Sequence, residues 1–173
     1  LLVTAPGSDS SGVHRGHRCG SRIMTREPRA SPMTLPPSPS TYVHTLRVYW
    51  EDTDAGGVVF YANYLKFFER ARTEWLRSLG HSQQRLREET GAIFVVAETS
   101  IRYLRPARLD DRLDVTVELL ESGRATLLIA QRALRGSEPL AEGTIRIGCV
   151  DAATLRPRRI PLALPATALH ARR

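Results

Sequence analysis

Residues 47–72 read R-V-Y-W-E-D-T-D-A-G-G-V-V-F-Y-A-N-Y-L-K-F-F-E-R-A-R, and the fold turns on how this stretch divides. Its first residues close an alternating, β-rich run from Thr41 to Trp50, in which Tyr42, Val43, Leu46, Val48 and Tyr49 predict a strand. Glu51-Asp52-Thr53-Asp54-Ala55-Gly56-Gly57 then combines acidic turn formers with paired glycines, the composition of a sharp loop. Val58 to Tyr61 is a short apolar bridge. Beyond it the period changes from two to about 3.6. Tyr64, Phe68, Ala71, Trp75 and Leu79 recur at steps of four and three, Leu65 and Leu76 widen the stripe, and Lys66, Glu69, Arg70 and Arg77 occupy the opposite face. This predicts one long helix over 62–79, with Asn63 as its N-cap and Gly80 in a left-handed C-cap.

Outward from this helix the pattern is simpler. Residues 82–90 predict a short second helix ended by Gly91. Ala92–Tyr103, Arg112–Leu120, Ala125–Leu134 and Leu140–Val150 alternate as strands, separated by turn signals at Asp110-Asp111, Ser122-Gly123 and Gly136-Ser137. One helix carrying a heavy aromatic stripe needs a broad surface to bury it, and a run of antiparallel strands supplies one. The fold class is therefore α+β, a sheet of about five strands against one long helix.

The 173 residues allow one domain with tails. Residues 1–40, rich in Ser, Pro and Gly, read as a disordered extension. Residues 41–155 read as the folded domain and 156–173 as a basic tail, disordered by default. The sequence starts with Leu, and Met33 is the start expected of the native protein. The formal charge of +7 belongs to the ends. Residues 1–33 carry a net +3 and 156–173 a net +5, which leaves 34–155 at −1. A folded body of that charge offers no positive stripe, which argues against nucleic acid as a partner. No apolar run approaches a membrane span, and the N-terminal stretch has no secretory apolar region. Cys19 and Cys149 form no disulfide framework and no metal pattern, as expected of free thiols in a reducing compartment. The expected location is cytoplasmic.

The chemistry concentrates in the loop before the long helix. A helix N-terminus offers N–H groups without intrahelical partners and a partial positive charge. Such a place stabilises a carbonyl oxygen that is becoming an oxyanion. Asp54, on the preceding loop, is placed to attack a carbonyl carbon or to deprotonate water. Gly56 and Gly57 let a thin substrate lie against the backbone. The alternative from the residues alone is a turn whose aspartates merely accept backbone amides.

The same stretch closely resembles the D-x-D-x-x-G-x-V-x-Y/H-x-N/S-Y signature of the 4-hydroxybenzoyl-CoA thioesterase family. Within it the chain is similar to the acyl-CoA thioesterase branch associated with the Tol–Pal system. F-V-V-A-E-T-S-I-R-Y-L-R-P-A-R-L-D-D (94–111) and R-P-R-R-I-P (156–161) extend the likeness, so that it covers roughly residues 41–161. The resemblance implies a hot-dog fold, edge-to-edge dimers that often stack as tetramers, and sites at the dimer interface. It implies hydrolysis of acyl-CoA with no cofactor and no metal. Asp54 matches the catalytic aspartate, as nucleophile or general base, and Asp52 is a loop former. The polarising N–H falls on Tyr61, whose position is often His in the Tol–Pal-associated branch; Trp50 likewise stands where Tyr is common.

The expected substrate-binding set is Gly56, Gly57, Val58, Asn63, Arg102 and Arg105, with Arg102, Arg105 and Arg108 considered for the phosphates of CoA. Glu69 is a weaker carboxylate candidate, and His44 and His81 are ordinary packed or surface histidines. An acyl carrier protein is a further expected partner. Two other readings stay open: a non-catalytic hot-dog module that binds acyl groups or envelope-assembly partners, and a dehydratase.

Overall fold

The computed structural model describes residues 41–165. The extension over 1–40, with Cys19 and the expected start at Met33, lies outside the described residues, as does the last part of the basic tail.

Five strands form one antiparallel sheet: β1 (Tyr42–Arg47), β2 (Ala92–Tyr103), β3 (Arg112–Ser122), β4 (Thr126–Arg135) and β5 (Glu138–Asp151), in the order β1-β3-β4-β5-β2. Helix α1 (Asn63–Ser78) packs on one face, and the shorter α2 (Gln83–Thr90) follows it. This is the expected hot-dog arrangement. Register shifts between Val96 and Glu98, Leu119 and Glu121, and Ala133 and Leu134 mark bulges, which bend and twist the sheet about the helix. Between β5 and β2 the backbones come so close at Gly143 that a Cβ there would stand 2.3 Å from the Ser100 carbonyl oxygen.

The core joins Tyr64, Phe67, Phe68, Ala71, Trp75 and Leu76 of α1 to Leu113, Val115, Leu127, Ile129, Ile145 and other inward residues of the sheet. At about 1.5–3 kcal/mol for each large side chain buried, this face outweighs any intrinsic helix preference. The stripe differs in one detail from its expected form. Phe67 is fully buried, whereas Leu65 is exposed. Phe67 lies three residues beyond Tyr64 and shares its face, while Leu65 points about 100° round the axis. The end of α1 is as expected: Gly80 (φ 85°) is left-handed, His81 N–H bonds Leu76 O and Gly80 N–H bonds Arg77 O. Ser82 caps α2, and left-handed Gly91 ends it.

β3 runs on to Ser122 and β5 starts at Glu138, each two residues beyond the sequence reading, and three further departures bear on the site and the tail. β1 stops at Arg47 instead of running to Trp50, because the buried Asp52 carboxylate takes the Tyr49 N–H at 2.9 Å and folds Trp50–Asp52 into a single 3₁₀ turn. Asn63 is the first helical residue rather than the N-cap, a place taken by Ala62. Residues 156–164 are packed rather than loose. Pro157 bridges to Val150, Arg158 N–H bonds Cys149 O, Ile160 N–H bonds Arg124 O, and Ile160, Leu162 and Leu164 lie against the core.

Candidate active site

The loop between the 3₁₀ turn and α1 is held from beneath and open above. Asp52, only 2% exposed, receives Tyr49 N–H on its carboxylate, and its carbonyl receives both Phe60 N–H and the Asn63 Nδ2 at 2.9 Å. Val59 is buried and donates its N–H to Ala107 O at 2.8 Å. The Ala107 N–H in turn donates to the phenol oxygen of buried Tyr64 at 3.0 Å. Two aspartates two residues apart thus take opposite roles: Asp52 is consumed in building the loop, as expected, and Asp54 is carried on top of it.

Asp54 sits at the tip of a small reversal whose limbs meet at a bridge between Thr53 and Val59. Its N–H bonds Val58 O at 2.9 Å, and its carbonyl takes Gly57 N–H at 3.0 Å. Gly57 has φ 71°, a left-handed conformation that this turn requires and that costs a residue with a Cβ about 1–2 kcal/mol. Asp54 Oδ1 accepts the Gly56 N–H at 2.8 Å. Oδ2 has no hydrogen-bond partner among the described residues, and no cation there pairs with the carboxylate. The carboxylate therefore both closes its turn and keeps one oxygen facing solvent.

Where the loop enters α1, Phe60, Asn63 and Leu65 N–H groups are bonded, to Asp52 O, Phe60 O and Ala62 O respectively. The N–H groups of Tyr61 and Ala62 have no partner among the described residues. They are the free donors that the start of a helix supplies. Tyr61 itself is 62% exposed. A cavity of about 250 Å³ lies beside it, lined by Val59, Tyr61, Tyr64, Tyr103, Leu104, Arg105 and Pro106. Burial pushes the phenols of Tyr64 and Tyr103 above their ordinary pKa, so both are protonated at neutral pH.

The expected site residues are thus only partly assembled by one chain. Asp54, Gly56 and Gly57 share one turn, with the half-buried Val58 as its return limb. Tyr61 and Arg105 share the cavity, which Asp54 does not line. Asn63 is buried with its amide committed to the Asp52 carbonyl, and so serves the loop rather than solvent. Arg102 lies in a different groove, on the sheet between β2, β3, β4 and β5, and is paired with Glu142; Arg105 is paired with Glu138 at 3.0 Å. Both guanidiniums already have carboxylate partners. Tyr64 and Tyr103 escaped the sequence reading as site residues. The available signal was an aromatic residue at the very end of a strand, just before Leu104-Arg105-Pro106. Among the described residues there is no cluster of three or more His, Cys, Asp or Glu able to hold a metal ion.

Residues 48–168 match the family model described as the thioesterase-like superfamily. The chain belongs to this superfamily. Among its thioesterase relatives, the acyl-CoA thioesterase YbgC of Haemophilus influenzae is 47% identical over 125 residues, 72% of this chain and 92% of that protein. The acyl-CoA thioester hydrolase YbgC of Escherichia coli O6:H1 is 43% identical over 122 residues, 70% of this chain and 90% of its own length. In three dimensions the thioesterase fold is shared with the crystal structure of a probable thioesterase from Bartonella henselae. That match has a TM-score of 0.67 and 33% identity, over 70% of this chain and 99% of the other.

Proposed function

We infer that this chain hydrolyses acyl-CoA thioesters through Asp54 and the free N–H at the start of α1. The reaction class is that of its YbgC relatives, acyl-CoA + water → carboxylic acid + CoA. The observation that carries the assignment of residues is the pairing of a solvent-facing carboxylate oxygen on Asp54 with an unbonded N–H on Tyr61, both on one rigid loop. The thioester carbonyl oxygen accepts the Tyr61 N–H, and negative charge that builds on it is met by the helix start. Asp54 attacks the carbonyl carbon or removes a proton from a water that does so. The C–S bond then breaks and CoA leaves as its thiolate, a good leaving group that needs little help from an acid. In the nucleophile route the resulting anhydride is hydrolysed by a second step of water attack.

A reaction of this kind gains from exclusion of water, yet the Asp54 turn and the Tyr61 cavity stand open in one protomer. β2 is the edge of the sheet, bonded to β5 on one side only, and its last residues run straight into the cavity lining at Tyr103–Pro106. An unpaired edge of 12 residues is a template for a second strand. A homodimer joined along β2, with stacking into tetramers, is therefore part of the proposal. So are membership of the Tol–Pal-associated branch, which rests on the resemblance over 94–111 and 156–161, and an acyl carrier protein as a partner, which rests on the basic run Arg156, Arg158 and Arg159. Among the described residues no helix is long and apolar enough to cross a membrane.

The deciding experiment measures release of free CoA thiol from a panel of short, long and aromatic acyl-CoAs by the wild-type chain and by Asp54→Asn. Asparagine can still accept the Gly56 N–H, so the turn persists and the melting temperature should stay put. The expected loss in kcat is about 10³-fold or more. A variant that kept wild-type turnover would leave Asp54 as a turn former and move the chemistry elsewhere.

A further inference from the structure

We propose that Tyr103 is a positioning residue for the hydrolysis, its phenol fixing the peptide that directly follows the one presenting the oxyanion donor at the start of α1. The proposal rests on the reading of Tyr61 N–H as that donor.

Tyr103 Oη donates to the Tyr61 carbonyl oxygen at 3.0 Å, across 42 residues of sequence. That carbonyl takes no N–H from the first turn of the helix, because Leu65 N–H goes to Ala62 O. The phenol is accordingly its donor among the described residues. The segment Phe60–Tyr61–Ala62 is then held from both ends: Phe60 N–H is anchored on Asp52 O, and the Tyr61 carbonyl is anchored on Tyr103. Between these anchors lie the N–H groups of Tyr61 and Ala62, neither of which has a partner among the described residues. With both flanking peptides pinned, their direction is set before substrate arrives, which is what makes an oxyanion donor effective. The bonded carbonyl belongs to the same peptide unit as the Ala62 N–H, so donation to its oxygen also polarises that N–H.

The ring is as well placed as the hydroxyl. Tyr103 and Tyr61 meet edge to face with ring centroids 6.1 Å apart, and Tyr103 and Tyr64 pack at a tilt of 60° with centroids 5.6 Å apart. Tyr64 is buried and bonded to Ala107 N–H, so it supplies a rigid backing for a side chain that is otherwise partly exposed. A phenol is already protonated at neutral pH, and burial, with the neighbouring Tyr61 second, pushes the Tyr103 pKa further up, so it remains a donor. All three rings line the 250 Å³ cavity, so the same contact that aims the backbone also shapes the space beside it. A phenol at the end of an edge strand is not needed for sheet pairing, and Tyr103 lies in register with Ala141 through its backbone alone.

The test separates the hydroxyl from the ring. Tyr103→Phe keeps the aromatic contacts and removes the bond to Tyr61 O. With the acyl-CoA of the panel that has the highest kcat/KM, the expected result is a loss of about tenfold in kcat with KM changed less than about twofold. That is less than the ~10²–10³ for removing an oxyanion donor outright. The second readout is the carbonyl stretch of the same acyl-CoA, ¹³C-labelled at the thioester carbonyl and bound to Asp54→Asn so that it is not consumed. Binding should lower the stretching frequency, and Asp54→Asn/Tyr103→Phe should show a smaller lowering. A lowering that is the same in both, or wild-type kcat in Tyr103→Phe, overturns the role of Tyr103 while leaving the donor in place. No lowering in Asp54→Asn itself removes the donor, and the proposal falls with it.

Discussion

Asp54 Oδ1 is spent on the Gly56 N–H, which orients the carboxylate and leaves Oδ2 to act. The neighbouring glycines matter in different ways. Gly57 is left-handed, so alanine there strains the backbone. Gly56 is not, but a Cβ at this position would stand 3.0 Å from Asp54 Oδ1. Gly56→Ala should therefore push the carboxylate aside with little cost to folding. We expect kcat to fall by about tenfold while stability changes by less than ~1 kcal/mol, read from thiol release and thermal melting on the same sample. A fall in melting temperature matching the loss of activity would instead mean that the whole loop had moved. At this scale the sequence showed which residues share the turn, because Asp-x-Gly-Gly is a local signal. It did not show that Arg102 and Arg105 are engaged by Glu142 and Glu138, since those glutamates lie on a strand that returns 40 and 33 residues later.

Between elements, α1 is tied to the sheet through one buried polar side chain inside an apolar interface, with two hydrogen bonds to the helix among the described residues. Gln131 of β4, 1% exposed, accepts from Arg72 Nη1 at 2.7 Å and donates to Phe68 O at 3.1 Å. Burial lowers the pKa of the Arg72 guanidinium, the direction expected when a charge loses water. Gln131→Leu leaves that charge without its acceptor and should cost about 2–3 kcal/mol in urea unfolding, although it adds apolar surface. Arg72→Met in the Gln131→Leu background should recover most of the loss, because the charge in need of a partner is gone. A double variant as unstable as the single one would contradict this account. The stripe and the C-terminal boundary of α1 were legible because the periodicity and Gly80 are written locally, whereas its N-cap was not, since Ala62 carries no capping side chain. Gln131 was not, since a single polar residue in an alternating strand reads as solvent-facing until the helix is laid on it.

For the molecule as a whole, residues 156–164 act as a strap across the far end of the sheet. Arg158 Nη1 donates to Thr90 O at 2.7 Å and pairs with Asp151, while Ile160 and Leu162 pack over Leu86, Ala92 and Cys149. Asp151 is held below the usual carboxylate range by the N–H and hydroxyl of Thr154 and by Ala153 N–H, so it remains charged for Arg158. Burial pushes the Cys149 thiol pKa up. Deleting 156–173 in a Cys19→Ser background should make Cys149 react with a disulfide reagent at least about tenfold faster at neutral pH, since both access and thiolate fraction increase. An unchanged rate would show that the strap is not what covers the thiol.

What the sequence determined by itself was everything carried by short-range pattern. A 3.6-residue aromatic stripe ended by Gly80 specifies α1, alternation specifies the strands, and Asp and Gly at close spacing specify a turn with an exposed carboxylate. The tertiary structure alone decided which distant groups meet. It put Phe67 rather than Leu65 in the core, Tyr103 on the Tyr61 carbonyl, Gln131 under Arg72, and the apolar residues of a nominally basic tail onto Cys149. The reason is that periodicity encodes the direction a side chain leaves its own element. The partner it finds depends on strand register and on how the helix lies across the sheet, and neither is written within one turn or one strand of chain.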